Sequence, residues 1–160
     1  MVDGLGHGEF AEIAAKAAIA YVGHHLSESL PKIFAGCDRA IRSTRGAVMG
    51  IAVIDQAANT LTFAGIGNIR ISINGEGAGR VVSDYGIIGG GYRRLSPQTV
   101  PIAAGELVMM FTDGIASRLN ISKYNASVRS DVQQLADRIV EDWGLETDDA
   151  GVLIFRYESS

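Results

Sequence analysis

Up to Ser43 the apolar residues of this chain recur at helical spacing, and from Gly46 onward they recur as continuous or alternating runs. That change of period limits the possible folds more than any other feature. From Glu9 to about His24, Phe10, Ile13, Ala14, Ala17 and Tyr21 share one helical face, with Glu12 and Lys16 four apart on the other. A second helix is expected from about Leu30 to Ile41. Ser27-Glu28-Ser29 starts it, Pro31 sits in its first turn, and Ile33, Phe34, Cys37 and Ile41 are its buried side. Ala47 to Ile54 then reads as a central buried strand. Ala57-Ala58-Asn59 turns the chain into a strand from Thr60 to Ile66, with Leu61 and Phe63 on one face. Ile69, Ile71 and Ile73 alternate with Arg70 and Ser72 in a half-buried strand that Asn74-Gly75 turns.

The remaining stretches are weaker. Arg80 to Ser83 is expected to form a short strand, Ile87 to Gly91 a glycine-rich loop, and Leu95 to Ile102, with its two prolines, an edge or extended stretch. Leu107 to Phe111 is an apolar strand, Ile115 to Leu119 one helical turn, and Asn120 to Ser127 a polar loop. Ser130 is expected to cap a last helix with Val132, Leu135, Ile139, Val140 and Trp143 on its apolar face, before a closing strand from Gly151 to Tyr157. Helices and strands segregated in this way indicate α+β, not alternating βαβ, and amphipathic helices beside sheets indicate a layered sandwich.

A length of 160 residues suits one domain. A net charge of −4 and the lack of a basic stripe interleaved with aromatics exclude a nucleic-acid binder. Cys37 is the only cysteine, so there is no disulfide framework and no thiolate zinc site, which fits a cytoplasmic setting. On its helix Cys37 reads as a small core residue, not as a nucleophile. No apolar run reaches the length of a membrane span, and no signal peptide is expected at the start.

Chemistry is concentrated in three acidic turns. Asp3 precedes Gly4 in Val2-Asp3-Gly4-Leu5-Gly6-His7-Gly8. Asp113 precedes Gly114 after Leu107–Phe111. Asp148 and Asp149 precede Ala150-Gly151 and the last strand. Strand ends hold side chains rigidly, and three carboxylates can converge only around a positive charge. Oxygen ligands make a hard divalent cation the economical choice. Spacing alone equally admits three unrelated turn aspartates, because Asp-Gly is a common turn pair. The amides of the 4–8 glycine turn can cradle a phosphate at a helix start. The turn is not a dinucleotide fingerprint, since its third glycine comes one position early and no room is left for a strand ahead of it. His7 reads as a turn or surface residue before a substrate contact, and His24 and His25 as solvated helix-end residues.

In order along the chain, Asp3-Gly4-Leu5-Gly6-His7-Gly8, Thr44-Arg45-Gly46-Ala47-Val48-Met49-Gly50, Ala64-Gly65-Ile66-Gly67-Asn68, Val108 to Gly114, and Asp148-Asp149-Ala150-Gly151 resemble the motifs of one family. It is the metal-dependent serine/threonine protein phosphatases (PPM), in particular the bacterial SpoIIE-like branch with its small RsbX-type enzymes. Each motif is weak alone, but the ordered set covers nearly the whole chain. The resemblance implies a four-layer αββα sandwich of mainly antiparallel sheets flanked by helices, in a single phosphatase domain over 1–160. It also implies a centre of two Mn²⁺ or Mg²⁺ ions. Asp3 would bridge both, the carbonyl of Gly4 would bind the second, and Asp113 and Asp148 would hold the first. Asp149 would bind a metal-bound water. Catalysis would be direct hydrolysis by a water held between ions about 3.5–4 Å apart, without a phosphoenzyme. Arg45 and Arg70 are candidate phosphate contacts, though as arginines flanking strands they read first as structural.

The chain also departs from the family pattern. Relatives carry two strands ahead of Asp-Gly, with a further acidic ligand for the second metal, whereas here two residues precede Asp3. The sheet is therefore expected to lack its first two strands and the second metal site to be incomplete. An unpaired edge and an uncovered apolar face would then promote association. Gly151 stands where relatives often have Thr, and Leu5 where many eukaryotic relatives have His. The expected substrate is a phosphoserine or phosphothreonine on a regulatory protein of stress or sigma-factor signalling, of the anti-sigma-factor-antagonist type. The alternative is a catalytically weak or inactive binding module on the same fold.

Overall fold

A computed structural model describes residues 1–74 and 81–158. The chain divides into two compact units. The first comprises Met1–Val53, Thr62–Ile69 and Ser83–Thr99, and the second Ile54–Leu61, Arg70–Val82 and Val100–Ser160. Strands β1 (Val2–Gly4), β2 (Ala47–Asp55), β3 (Thr60–Ile66) and β7 (Gln98–Pro101) form a four-stranded sheet in the order β1-β2-β3-β7. The proline-bearing strand β7 is an edge, as its missing amide donors require. β1 runs antiparallel to β2 with Asp3 opposite Val48. A strand therefore does precede the glycine turn, contrary to expectation: three residues suffice because β2 supplies its hydrogen bonds.

Helices α1 (Glu9–His24) and α2 (Leu30–Ala40) cover the first unit's core. There Ala18, Phe34, Cys37 and Ile41 pack on Ala47, Met49, Ala64 and Ile66. The buried side of α1 keeps Ala14 of the expected face, with Ala17 and Tyr21 partly buried against the core, but leaves out Phe10 and Ile13. Ala11, Ala14 and Ala18 are buried, while Phe10 and Ile13 are 60% and 46% exposed. The reason is close approach. A Cβ added to Gly4 would overlap the main-chain carbonyl of Ala11. A helix packed this tightly on a strand accepts only small side chains at the contact. Cys37 is fully buried, and burial pushes its thiol up to about 11, so it is a core residue as expected.

Asp38, also buried on α2, had no sequence signal. Its Oδ1 accepts from the amides of Gly89 (2.9 Å) and Gly91 (3.2 Å), and Oδ2 accepts from Arg42 at 3.1 Å. These bonds anchor the stretch expected to be a loop, which contains a small hairpin of β5 (Gly86–Ile87) and β6 (Gly91–Tyr92). Asp38→Ala is expected to lower unfolding free energy by about 1–2 kcal/mol in urea titration, because the half-buried Gly89 amide and the exposed Gly91 amide lose a charged acceptor.

In the second unit β4 (Arg70–Ile73), β8 (Leu107–Phe111) and β9 (Val152–Arg156) form an antiparallel sheet in the order β4-β8-β9. β8 is central and buried at every position, which explains its uninterrupted apolar run. Leu107, Met109 and Phe111 pack with Ile121, Leu135 and Ile139, the last two from α4 (Val132–Trp143). Asp131, not Ser130, caps α4, accepting from the amides of Gln133 and Gln134 at 3.0 Å. Ser130 ends a short helix α3 (Ala126–Ser130) that, with the 3₁₀ turn Ile121–Lys123, replaces most of the expected loop. Residues 115–119 form no helical turn. Ile115 bridges to Gly144, and Ala116 donates to the Trp143 carbonyl at 2.8 Å. Tyr157, fully buried, donates to Asn59 Oδ1 at 2.8 Å. Of the short strand expected at 80–83, Arg80 lies outside the described residues and 81–83 are irregular. The α+β class holds, with mainly antiparallel sheets flanked by helices.

Candidate metal centre

The second unit brings Asp113, Asp148 and Asp149 to one end of the β8–β9 pairing. Phe111, the last residue of β8, stands opposite Val152, the first of β9, so the segments beyond both strands emerge together. Thr112 locks them. Its Oγ1 donates to the Asp149 carbonyl at 3.0 Å and accepts from the Gly151 amide at 2.8 Å, and its own amide donates to the Gly151 carbonyl at 3.0 Å. Gly114 closes the same contact, since a Cβ there would overlap the Asp149 carbonyl. Asp148 accepts its neighbour's amide on Oδ1 at 2.9 Å. All three aspartates are exposed. Thr112→Val, which keeps the shape and removes both side-chain bonds, is expected to cost about 1–2 kcal/mol in chemical denaturation, because the Gly151 amide loses its acceptor.

Arg70 braces the turn from β4. Its guanidinium donates to the carbonyls of Thr112 (3.2 Å) and Ile115, and lies 5.9 Å from the Phe111 ring centroid. Burial lowers its pKa, and the charge of Asp113 opposes that shift. Its bonds to main-chain carbonyls make it structural, the first of the two readings above.

In the first unit Asp3 is half-buried in β1, and the chain beyond it is tied back by the Leu5 amide, which donates to the Gly46 carbonyl at 3.0 Å. Gly6 and Gly8 take the positive φ angles, 86° and 75°, that turn the chain into α1. Arg45 stacks over Phe10, 5.1 Å from the ring centroid, and His7 is exposed.

Asp3 and Gly4 thus belong to the first unit, and Asp113, Asp148 and Asp149 to the second. Among the described residues no group of three or more His, Cys, Asp or Glu side chains is arranged to hold a metal ion. By donor chemistry the set fits hard divalent cations: carboxylates and a main-chain carbonyl, with no sulfur or imidazole. Thr112 and Gly114 carry the arrangement but had no separate sequence signal beyond adjoining Asp113.

No family model matches the chain. It is 28% identical over 120 residues to the phosphoserine phosphatase RsbX of Bacillus subtilis (strain 168), a match spanning 72% of this chain and 59% of that protein. It also superposes on a solved structure of the bacterial stressosome, presented as a modular system adapted to control secondary messenger signalling. That likeness has a TM-score of 0.86 and 30% identity, and covers 96% of this chain and 81% of the other. A crystal structure of RsbX in complex with magnesium shares the fold, with a TM-score of 0.74 and 21% identity over 96% of this chain and 76% of the other. In its α+β fold, its ordered motifs and these likenesses, the chain is similar to the metal-dependent (PPM) serine/threonine protein phosphatases, and to RsbX among them.

Proposed function

We propose that this protein hydrolyses phosphoserine or phosphothreonine on a regulatory protein, using two divalent ions, Mn²⁺ or Mg²⁺. The observation that carries the reading is the lock at Thr112 and Gly114, which holds Asp113 and Asp148-Asp149 at facing strand ends. A lock of that kind serves a site whose carboxylates must not move. The residues that would hold the ions are Asp3, the carbonyl of Gly4, Asp113 and Asp148, with Asp149 on a metal-bound water. Two divalent ions, when bound, would supply an activated water and neutralise charge on the phosphoryl oxygens. The chain's own task is to hold the carboxylates fixed, which Thr112, Gly114 and Arg70 do through the backbone. The protein nucleophile most reactive by type, Cys37, is buried and protonated, in keeping with a reaction that forms no phosphoenzyme.

Kinship with a phosphoserine phosphatase and the likeness to a stressosome structure support a phosphorylated regulatory protein of stress or sigma-factor signalling as substrate, of the anti-sigma-factor-antagonist type. We place this action in the cytoplasm, within the single domain 1–160; among the described residues no helix is long and apolar enough to cross a membrane. A second reading, a catalytically weak or inactive binding module, is favoured by the lack of a three-ligand cluster among the described residues.

Thermal melting with and without manganese separates the two. An ion that binds only the native state at a hundredfold above its Kd stabilises it by about 2.7 kcal/mol, a rise of several degrees. That rise is the expected result. A melt unchanged at millimolar manganese supports the binding module.

A further inference from the structure

The first unit contains a groove of about 1060 Å³ between Val48, Gly67-Asn68 and the hairpin segment 84–94. It is pre-shaped. Asp38 holds the amides of Gly89 and Gly91, Ala47 and Ile88 exchange main-chain bonds at 2.9 and 2.8 Å, and Asp84 accepts from the Ser96 amide at 2.5 Å. The walls carry Tyr85, which is 98% exposed, together with Ile87 and Tyr92. Of its two arginines, Arg94 is paired with Asp84 at 3.5 Å. Arg93 is exposed and has no acidic partner among the described residues, so it leaves the groove with a net positive charge. The floor residue Val48 is the register partner of Asp3. Directly opposed residues of an antiparallel pair project from the same face of the sheet. Asp3 therefore stands on the face where the groove opens.

We infer that this groove binds the peptide segment flanking the phosphorylated residue of the substrate, and that Arg93 selects an acidic side chain in that segment. The inference deepens the phosphatase reading and rests on it for the identity of the peptide. The volume exceeds what a small ligand fills and suits several residues of extended chain. The exposed Tyr85 and half-buried Tyr92 give such a chain aromatic contact area at little entropic cost, and the Arg93 guanidinium gives a carboxylate a bidentate partner.

The test is equilibrium binding of three fluorescein-labelled phosphoserine peptides that differ only in two flanking residues: Glu, Gln or Lys. Binding is followed by anisotropy with the full chain in EDTA, so that no turnover occurs. The wild type is expected to bind the Glu peptide about tenfold more tightly than the Gln peptide. Arg93→Ala is expected to erase the difference, and Arg93→Glu to favour the Lys peptide. Equal or unmeasurable binding of the three by wild type, or a Glu preference that survives in Arg93→Glu, overturns the inference. Since nothing is hydrolysed, the outcome is independent of catalysis. A chain that releases no phosphate, yet switches preference with Arg93, disproves the phosphatase reading and leaves the groove standing.

Discussion

Asp113→Asn is expected to reduce metal-dependent phosphate release by a hundredfold or more, while unfolding free energy in metal-free buffer stays within about 0.5 kcal/mol of wild type. The two effects separate because of how the turn is built. Its backbone is held by Arg70 on the Thr112 and Ile115 carbonyls, by Thr112 on the 149–151 segment, and by the packing of Gly114. The Asp113 carboxylate is exposed, and its charge acts on Arg70 without supplying any of those bonds. Asparagine keeps the side-chain shape and removes the charge that a divalent ion needs. Even the hydrogen-bond partners behind a metal ligand cost tenfold to a hundredfold when lost, so a ligand itself costs at least the upper figure. Manganese titration of the melt is the companion measurement, and the stabilisation by metal should shrink or vanish in the variant. Full activity in Asp113→Asn would remove this residue from the site.

Gly114→Ala is expected to be the most damaging conservative change in the second unit, costing about 3 kcal/mol in urea titration and abolishing the manganese shift. The new methyl would meet main chain, not a side chain that could swing aside: the Asp149 carbonyl and the Cα of Ala150. Relief requires the 148–151 segment to move away from β8. That movement breaks the Thr112 bonds and displaces Asp148 and Asp149 from Asp113 at the same time. A single methyl would thus couple a stability loss to a metal-binding loss, although no ligand has been changed. A variant with wild-type stability and metal response would mean that the two strand ends are not locked as described.

How much of this was readable in advance varied from element to element, for physical reasons. β3 was found at its true bounds and β2 within a residue because a strand's apolar pattern is written locally in its own residues. The three acidic turns were found for the same reason, as Asp-Gly and Asp-Asp punctuation at strand ends. Phe10 and Ile13 fall outside the buried face of α1 because periodicity weighs large apolar residues, whereas the close approach at Gly4 selects alanines. Ser130 and Asp131 are adjacent and equally suited to capping; only the geometry of the preceding α3 decides between them. Asp38 and Thr112 act on main-chain groups 51 and 37 residues away, and no local pattern records a partner at that distance. Strands of two residues, β5 and β6, are too short to leave a period at all.

The central claim, that this chain is a metal-dependent phosphoserine/phosphothreonine phosphatase, is tested most directly by phosphate release from a phosphoserine peptide. The assay compares millimolar manganese with EDTA, using the wild-type chain. The account predicts steady release with manganese, complete loss in EDTA, and recovery when manganese is restored in excess. Release that continues unchanged in EDTA would contradict the metal centre. No release under any condition, from a chain shown by its melt to be folded, would contradict the phosphatase reading and leave the binding module in its place.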